Sequence, residues 1–189
     1  MKKNIIYAIV LIVVVVITFA LVKLTDTPYD TKIEKLLADN SYTLVTNGLY
    51  SKQMSAGSLN NYNNCIKTSD TCKYEVNTFT MGLYELSKNI KEYNNEVASD
   101  LDIIYSYHDN TLTYTYRVNY KNSLIIFNGT YNNSKFTCKK EFATGIDSSN
   151  SQDVICEKIK TKVLSFENET KVFFPNVNYI NYIKKQKID

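Results

Sequence analysis

Apolar and polar positions change period several times along this chain, and each change marks an element. Ile5 to Val22 is apolar apart from Tyr7 and Thr18, with Lys2 and Lys3 before it and Lys23 after. At about 1.5 Å rise per residue, a helix over these positions is roughly 27 Å long and matches a bilayer's hydrocarbon core. A secretory signal core is shorter, about 7 to 15 residues, and its small-residue cleavage site lies beyond the core. Here the candidate site, Thr18-Phe19-Ala20, lies inside the run. The pattern therefore predicts an uncleaved single-pass signal-anchor, with residues 1–24 as cytoplasmic stub and transmembrane helix. Lysines flank both ends almost equally, so charge alone leaves orientation open. Four cysteines downstream favour translocation of the C-terminal part, leaving the N-terminus cytoplasmic.

Residues 25–70 read as a juxtamembrane helix, a strand and an Asn/Ser-rich loop. Thr31 and Glu34 resemble a capping box, and Ile33, Leu36 and Leu37 share one helical face, so a short helix is predicted to end near Asp39-Asn40. Tyr42 to Thr46 favours strand ahead of the Asn47-Gly48 turn, and Ser51 to Asp70 reads as loop. From Asn77 to Asn95, Phe79, Leu83, Leu86, Ile90 and Tyr93 recur at spacings of three and four, which predicts an amphipathic helix. Gly82 weakens it by about 1 kcal/mol relative to alanine.

Alternation follows. Leu101, Ile103, Tyr105 and Tyr107 form one apolar series, and Leu112, Tyr114, Tyr116 and Val118 form the next, across a His108-Asp109-Asn110 turn. Ser123 to Tyr131 and Lys135 to Phe142 complete four strands joined by short turns, hence an antiparallel meander, with Cys138 on the inward side of the fourth. Ser149 with Gln152 forms a second capping-box candidate, after which Cys156, Ile159, Val163 and Phe166 follow helical spacing. The predicted class is α+β: an N-terminal transmembrane helix and a small extracytoplasmic domain, residues 71–170, in which helices pack a four-stranded meander. Residues 171–189 form a C-terminal tail. Over Ser41 to Phe142, the order strand, helix, four-strand meander resembles the cystatin-like arrangement, which implies a sheet wrapped around a single helix. The inhibitory Gln-x-Val-x-Gly of cystatins is absent, so the resemblance carries no protease inhibition.

Cys65, Cys72, Cys138 and Cys156 form an even set in a chain that reads as exported, so disulfides are expected. Three connectivities exist; proximity favours Cys65 with Cys72 and Cys138 with Cys156, the latter two both on apolar stripes. Zinc needs closer Cys or His spacing than this chain offers, and no cofactor motif occurs. The net charge of +3 is small and evenly spread, which argues against nucleic acid as a partner. Arg117 is the sole arginine among 22 basic residues, and Trp is absent, a bias matching an AT-rich bacterial coding sequence.

Catalytic chemistry has few candidates. His108 sits where a turn needs it, and Asp100 and Asp102 read as charged flank of a strand rather than as paired hydrolytic carboxylates. The predicted role is binding or envelope assembly at the cell membrane, with the lipid bilayer contacted through Ile5 to Val22 and another envelope protein as partner. The alternative is a membrane-tethered enzyme acting on cell-envelope material. Tyr105, Tyr107, Tyr114 and Tyr116, together with Tyr62, form either the sheet's buried face or a contact surface.

Overall fold

A computed structural model describes residues 28–144, 152–174 and 176–186. The chain divides into two units between Leu36 and Leu37. In the first, residues 28–36 are described and are taken up by the start of helix α1, Tyr29–Asp39. Asp30 in its first turn complements the positive helix end, and Lys32 Nζ lies 4.9 Å from the Tyr29 ring centre. The helix stops where Ser41 takes φ 65°, letting the Tyr42 N–H donate to the Leu37 carbonyl at 2.9 Å.

The second unit is built on nine antiparallel strands: β1 (Thr43–Thr46), β2 (Leu49–Gln53), β3 (Thr71–Thr80), β4 (Glu85–Asn94), β5 (Val97–Ser106), β6 (Thr111–Tyr120), β7 (Ser123–Asn132), β8 (Lys135–Phe136) and β9 (Lys139–Thr144). Strands β1 to β8 are neighbours in chain order, and β9 returns to pair with β7. Turn chemistry sets this order. Gly48 at φ 71° closes β1 on β2, while Asn95 with Glu96 and Asn133 with Ser134 take positive φ in pairs, the backbone that two-residue hairpin loops require. Helix α2 (Leu59–Cys65) interrupts the meander between β2 and β3, capped by the Ser58 hydroxyl accepting from the Asn61 N–H. Helices α3 (Gln152–Phe173) and α4 (Val177–Ile183) follow the sheet.

This architecture corrects the predicted fold class. The described chain is mostly antiparallel sheet, nine strands with four helices, in place of a four-stranded meander packed by helices. Among the described residues no helix is long and apolar enough to cross a membrane. Ile5 to Val22, where the anchor is expected, lies outside them. The expected helix over Asn77 to Asn95 is a hairpin instead, formed by β3 and β4 with ten paired positions. Spacings of four satisfy both a helix and an alternating strand, so Leu86 and Ile90 fit either. Leu83 separates them: the helical stripe needs it inside, and it stands 42% exposed on the turn. With that helix gone, the cystatin-like order fails too, since the long helix comes after the sheet. The predicted fourth strand is split into β8 and β9, with Phe142 exposed and Cys138 half-buried between the two. The segment read as loop after Ser51 holds the end of β2 and all of α2.

Register assigns each strand's alternate residues to a face. Phe79, Leu86, Tyr105 and Leu112 form one cross-strand row, Ile90, Leu101, Tyr116 and Phe127 another, all on the face that α3 covers. From the helix, Ile159, Val163, Phe166 and Thr170 are buried against it, the spacing expected of its apolar stripe. Gly129, in the row of Ile103 and Tyr114, has no room for a side chain: an added Cβ would overlap the Thr137 carbonyl and the Tyr114 hydroxyl. Two disulfides staple this plan, Cys65 to Cys72 holding α2 on β3, and Cys138 to Cys156 joining the β8–β9 corner to the first turn of α3.

Candidate binding groove

The tyrosines of the predicted contact surface are, with one exception, interior. Tyr105 and Tyr107 meet edge to face at 4.8 Å; the Tyr105 hydroxyl donates to Asn110 Oδ1 at 2.6 Å and the Tyr107 hydroxyl to the Thr170 carbonyl at 2.9 Å. Tyr114 stacks on Phe136 at 5.5 Å and donates to the Thr137 carbonyl at 2.7 Å. Tyr62, on α2, is buried 6.4 Å from the Tyr74 ring. Burial pushes the hydroxyls of all four above the ordinary tyrosine pKa. These side chains form the buried face of the hairpins, with their polar tips satisfied locally, and do not offer a surface to a partner. The exception is Tyr116, which is half-buried and lines an open space.

Nor do the polar candidates assemble into catalytic machinery. On the sheet's other face, Asn89 Nδ2 donates to Asp100 and to Asp102 at 2.7 Å each, Lys91 holds Asp100 at 2.5 Å, and Arg117 holds Asp102 at 2.7 Å. Both carboxylates are thereby occupied as acceptors in a cross-strand charge ladder, an ordinary way to furnish a half-exposed sheet face. His108 packs its Nδ1 3.4 Å from the Ile183 carbonyl, so this turn residue fastens α4. Among the described residues, no grouping of three or more His, Cys, Asp or Glu could hold a metal ion.

The open space lies beside the first half of α3. Two cavities, of about 340 and 230 Å³, flank the helix there, and Tyr116 and Lys158 line both. Glu92, Ile159 and Lys162 complete much of the first; Val97, Val118, Tyr120, Ile125 and Ile155 wall the second. Strand register explains the floor, because Val118 pairs with Ile125 and Val97 with Tyr120 on the helix-facing side. Helical spacing explains the roof, since Ile155, Lys158, Ile159 and Lys162 lie three and four apart and fall along one stripe. The charges are unequal. Lys162 Nζ sits 2.6 Å from Glu92 Oε2, whereas Lys158 has no carboxylate partner among the described residues. Burial raises the Tyr116 hydroxyl pKa, a hydrogen bond with Ser99 opposes that, and the nearby Glu92 charge adds to it. At neutral pH Tyr116 is therefore a neutral hydroxyl on the groove wall.

Sequence spacing had revealed the stripe of Cys156, Ile159, Val163 and Phe166, and the alternation of Tyr116 and Val118. It carried no sign that Lys158 and Ile155 would face those strands, which requires the helix's docking angle. No protein-family model, curated protein or solved structure matches the chain.

Proposed function

We propose that this protein is an extracytoplasmic binding module of the cell envelope, held at the membrane through Ile5 to Val22. The observation that carries the reading is the groove beside α3, in which a half-buried tyrosine, apolar strand residues and an unpaired lysine converge. Concave, mostly apolar sites with a few oriented polar groups are where proteins take up ligands. The disulfides support the compartment, since such bonds persist in oxidising surroundings. Saturated Asp100 and Asp102 give no support to the enzymatic alternative on cell-envelope material.

The test uses the full chain extracted from its native envelope and examined by native mass spectrometry. A co-purifying ligand or partner is expected, and it should disappear when Val118→Trp fills the groove while the far-ultraviolet circular dichroism stays unchanged. Retention by the filled variant would overturn the groove's role. Turnover of an envelope polymer by the purified chain, abolished by Asp102→Asn, would replace binding with catalysis.

A further inference from the structure

Resting on that binding reading, we propose that the groove takes a slender anionic amphiphile, a single acyl chain ending in a carboxylate. The head group would sit at Lys158 and the chain along Tyr116, Val118, Ile125 and Ile155. Charge argues for the anion. Of the groove's two lysines, Lys162 is neutralised by Glu92 at 2.6 Å, and Lys158, shared by both cavities, makes no ion pair among the described residues, although Asp153 and Glu157 line the space on its outer side. The Lys158 side chain is exposed at the shared mouth, where its ammonium can meet an anionic head group while the apolar walls take up the tail.

Charge also gives the direction. The Glu92–Lys162 pair leaves the first cavity without net charge to hold an anion beyond Lys158, whereas the second cavity is lined, among the described residues, by Lys158 and no acidic residue. The head therefore stays at the shared mouth, and the tail enters the second cavity, against side chains that are all aliphatic or aromatic apart from Lys158. Size argues for a chain rather than a ring system. About 340 and 230 Å³ lie at or below the lower end of ligand sites, roughly 300 to 1,000 Å³. A flexible tail fits such a space and loses little by it, because Val118, Ile125 and Ile155 present no hydrogen-bonding atoms that it would leave unpaired.

Amphipol-solubilised full chain, titrated with dodecanoate, methyl dodecanoate and dodecylamine against a displaced fluorescent long-chain carboxylate, tests the assignment. Dodecanoate should displace the probe, with the ester and the amine at least tenfold weaker. Lys158→Gln should weaken dodecanoate about tenfold and leave the ester unchanged, and Lys158→Glu should reverse the order of dodecanoate and dodecylamine. Equal displacement by all three, or indifference to Lys158, would overturn the proposal, whatever the total affinity. If no amphiphile binds while a native component still co-purifies and is lost on filling the groove, the ligand class is wrong and the binding reading stands. If both fail, neither survives.

Discussion

The two halves of α3 cover the same sheet and pack it differently. Around the second half the floor is aromatic: Phe79 stacks on Phe173 at 5.8 Å, Tyr107 meets Phe174 at 4.7 Å, and Phe174 stacks on Tyr179 at 5.4 Å. Even the one buried cation there is enclosed, with Lys88 Nζ 3.0 Å from Glu75 and 2.6 Å from Glu169 beneath the Phe166 ring. Around the first half the floor carries Val97, Val118 and Ile125, branched at the β-carbon, beside Tyr116 and Tyr120, and space remains between them and the helix. Apolar character is similar at both ends; closure is not. Rings pack against rings at one end, while at the other β-branched side chains share the floor with two tyrosines and leave space, so the proposed function falls where packing is incomplete rather than where chemistry is exotic.

The largest effect that separates the ends is a cavity mutation. Phe79→Ala, at a fully buried ring, should cost about 3 to 5 kcal/mol, whereas Ile155→Ala, half-exposed on the groove, should cost less than about 1 kcal/mol. Urea unfolding of both variants measures this, and equal losses would erase the distinction. Next comes the staple at the open end. Replacing Cys138 and Cys156 by serine removes a link across 18 residues and should lower stability by about 3 kcal/mol in the chain-entropy view. Hydrogen exchange should then quicken first in α3 residues before Lys162, and uniform quickening along the helix would mean the two halves are not independent.

The smallest effect is in pH and belongs to the closed end. Burial alone would raise the Glu75 carboxyl pKa, but hydrogen bonds from Lys73 and Lys88 outweigh it and hold the carboxyl below its ordinary value. A carboxyl lowered in the folded state contributes stability that is present above its unfolded pKa of about 4.3 and fades as pH falls through the folded value. Thermal unfolding of Glu75→Gln should therefore fall less steeply than that of the parent below about pH 4.5, with the two profiles parallel above it. Parallel profiles throughout would show that the Lys88 cluster contributes nothing through this carboxyl.

Much of the meander was legible from residues alone. Alternation located β5, β6 and β7, Asn and Lys at the turns marked their ends, and sequence proximity together with the apolar positions of Cys138 and Cys156 pointed to the two disulfides. The expectation fails at β3 and β4, where a helix spaced on Phe79, Leu83, Leu86, Ile90 and Tyr93 puts Lys88 among the polar positions. It points inward, and what makes that tolerable is supplied by Glu75 on the neighbouring strand and Glu169 on α3, one 13 residues and the other 81 residues away. Long-range compensation of this kind leaves no local trace. The groove was hidden for a related reason: Glu92 on β4 and Lys162 on α3 are 70 residues apart, and only docking brings them together.

The position of α3 in the chain has a consequence for biogenesis. Apart from β2 and β3, which α2 separates, each strand from β1 to β8 finds its neighbour through a short connection, so pairing can proceed in the order in which the chain emerges, and such local contacts form early. The covering helix is made last. Until Gln152 to Phe173 has been made, the sheet presents Phe79, Leu86, Leu101, Ile103 and Phe127 to water, a face that invites aggregation or a chaperone. A chain stopped before α3 would thus be an assembled sheet without a lid over its apolar side, and quality-control machinery would meet the protein in that unfinished form before the groove existed.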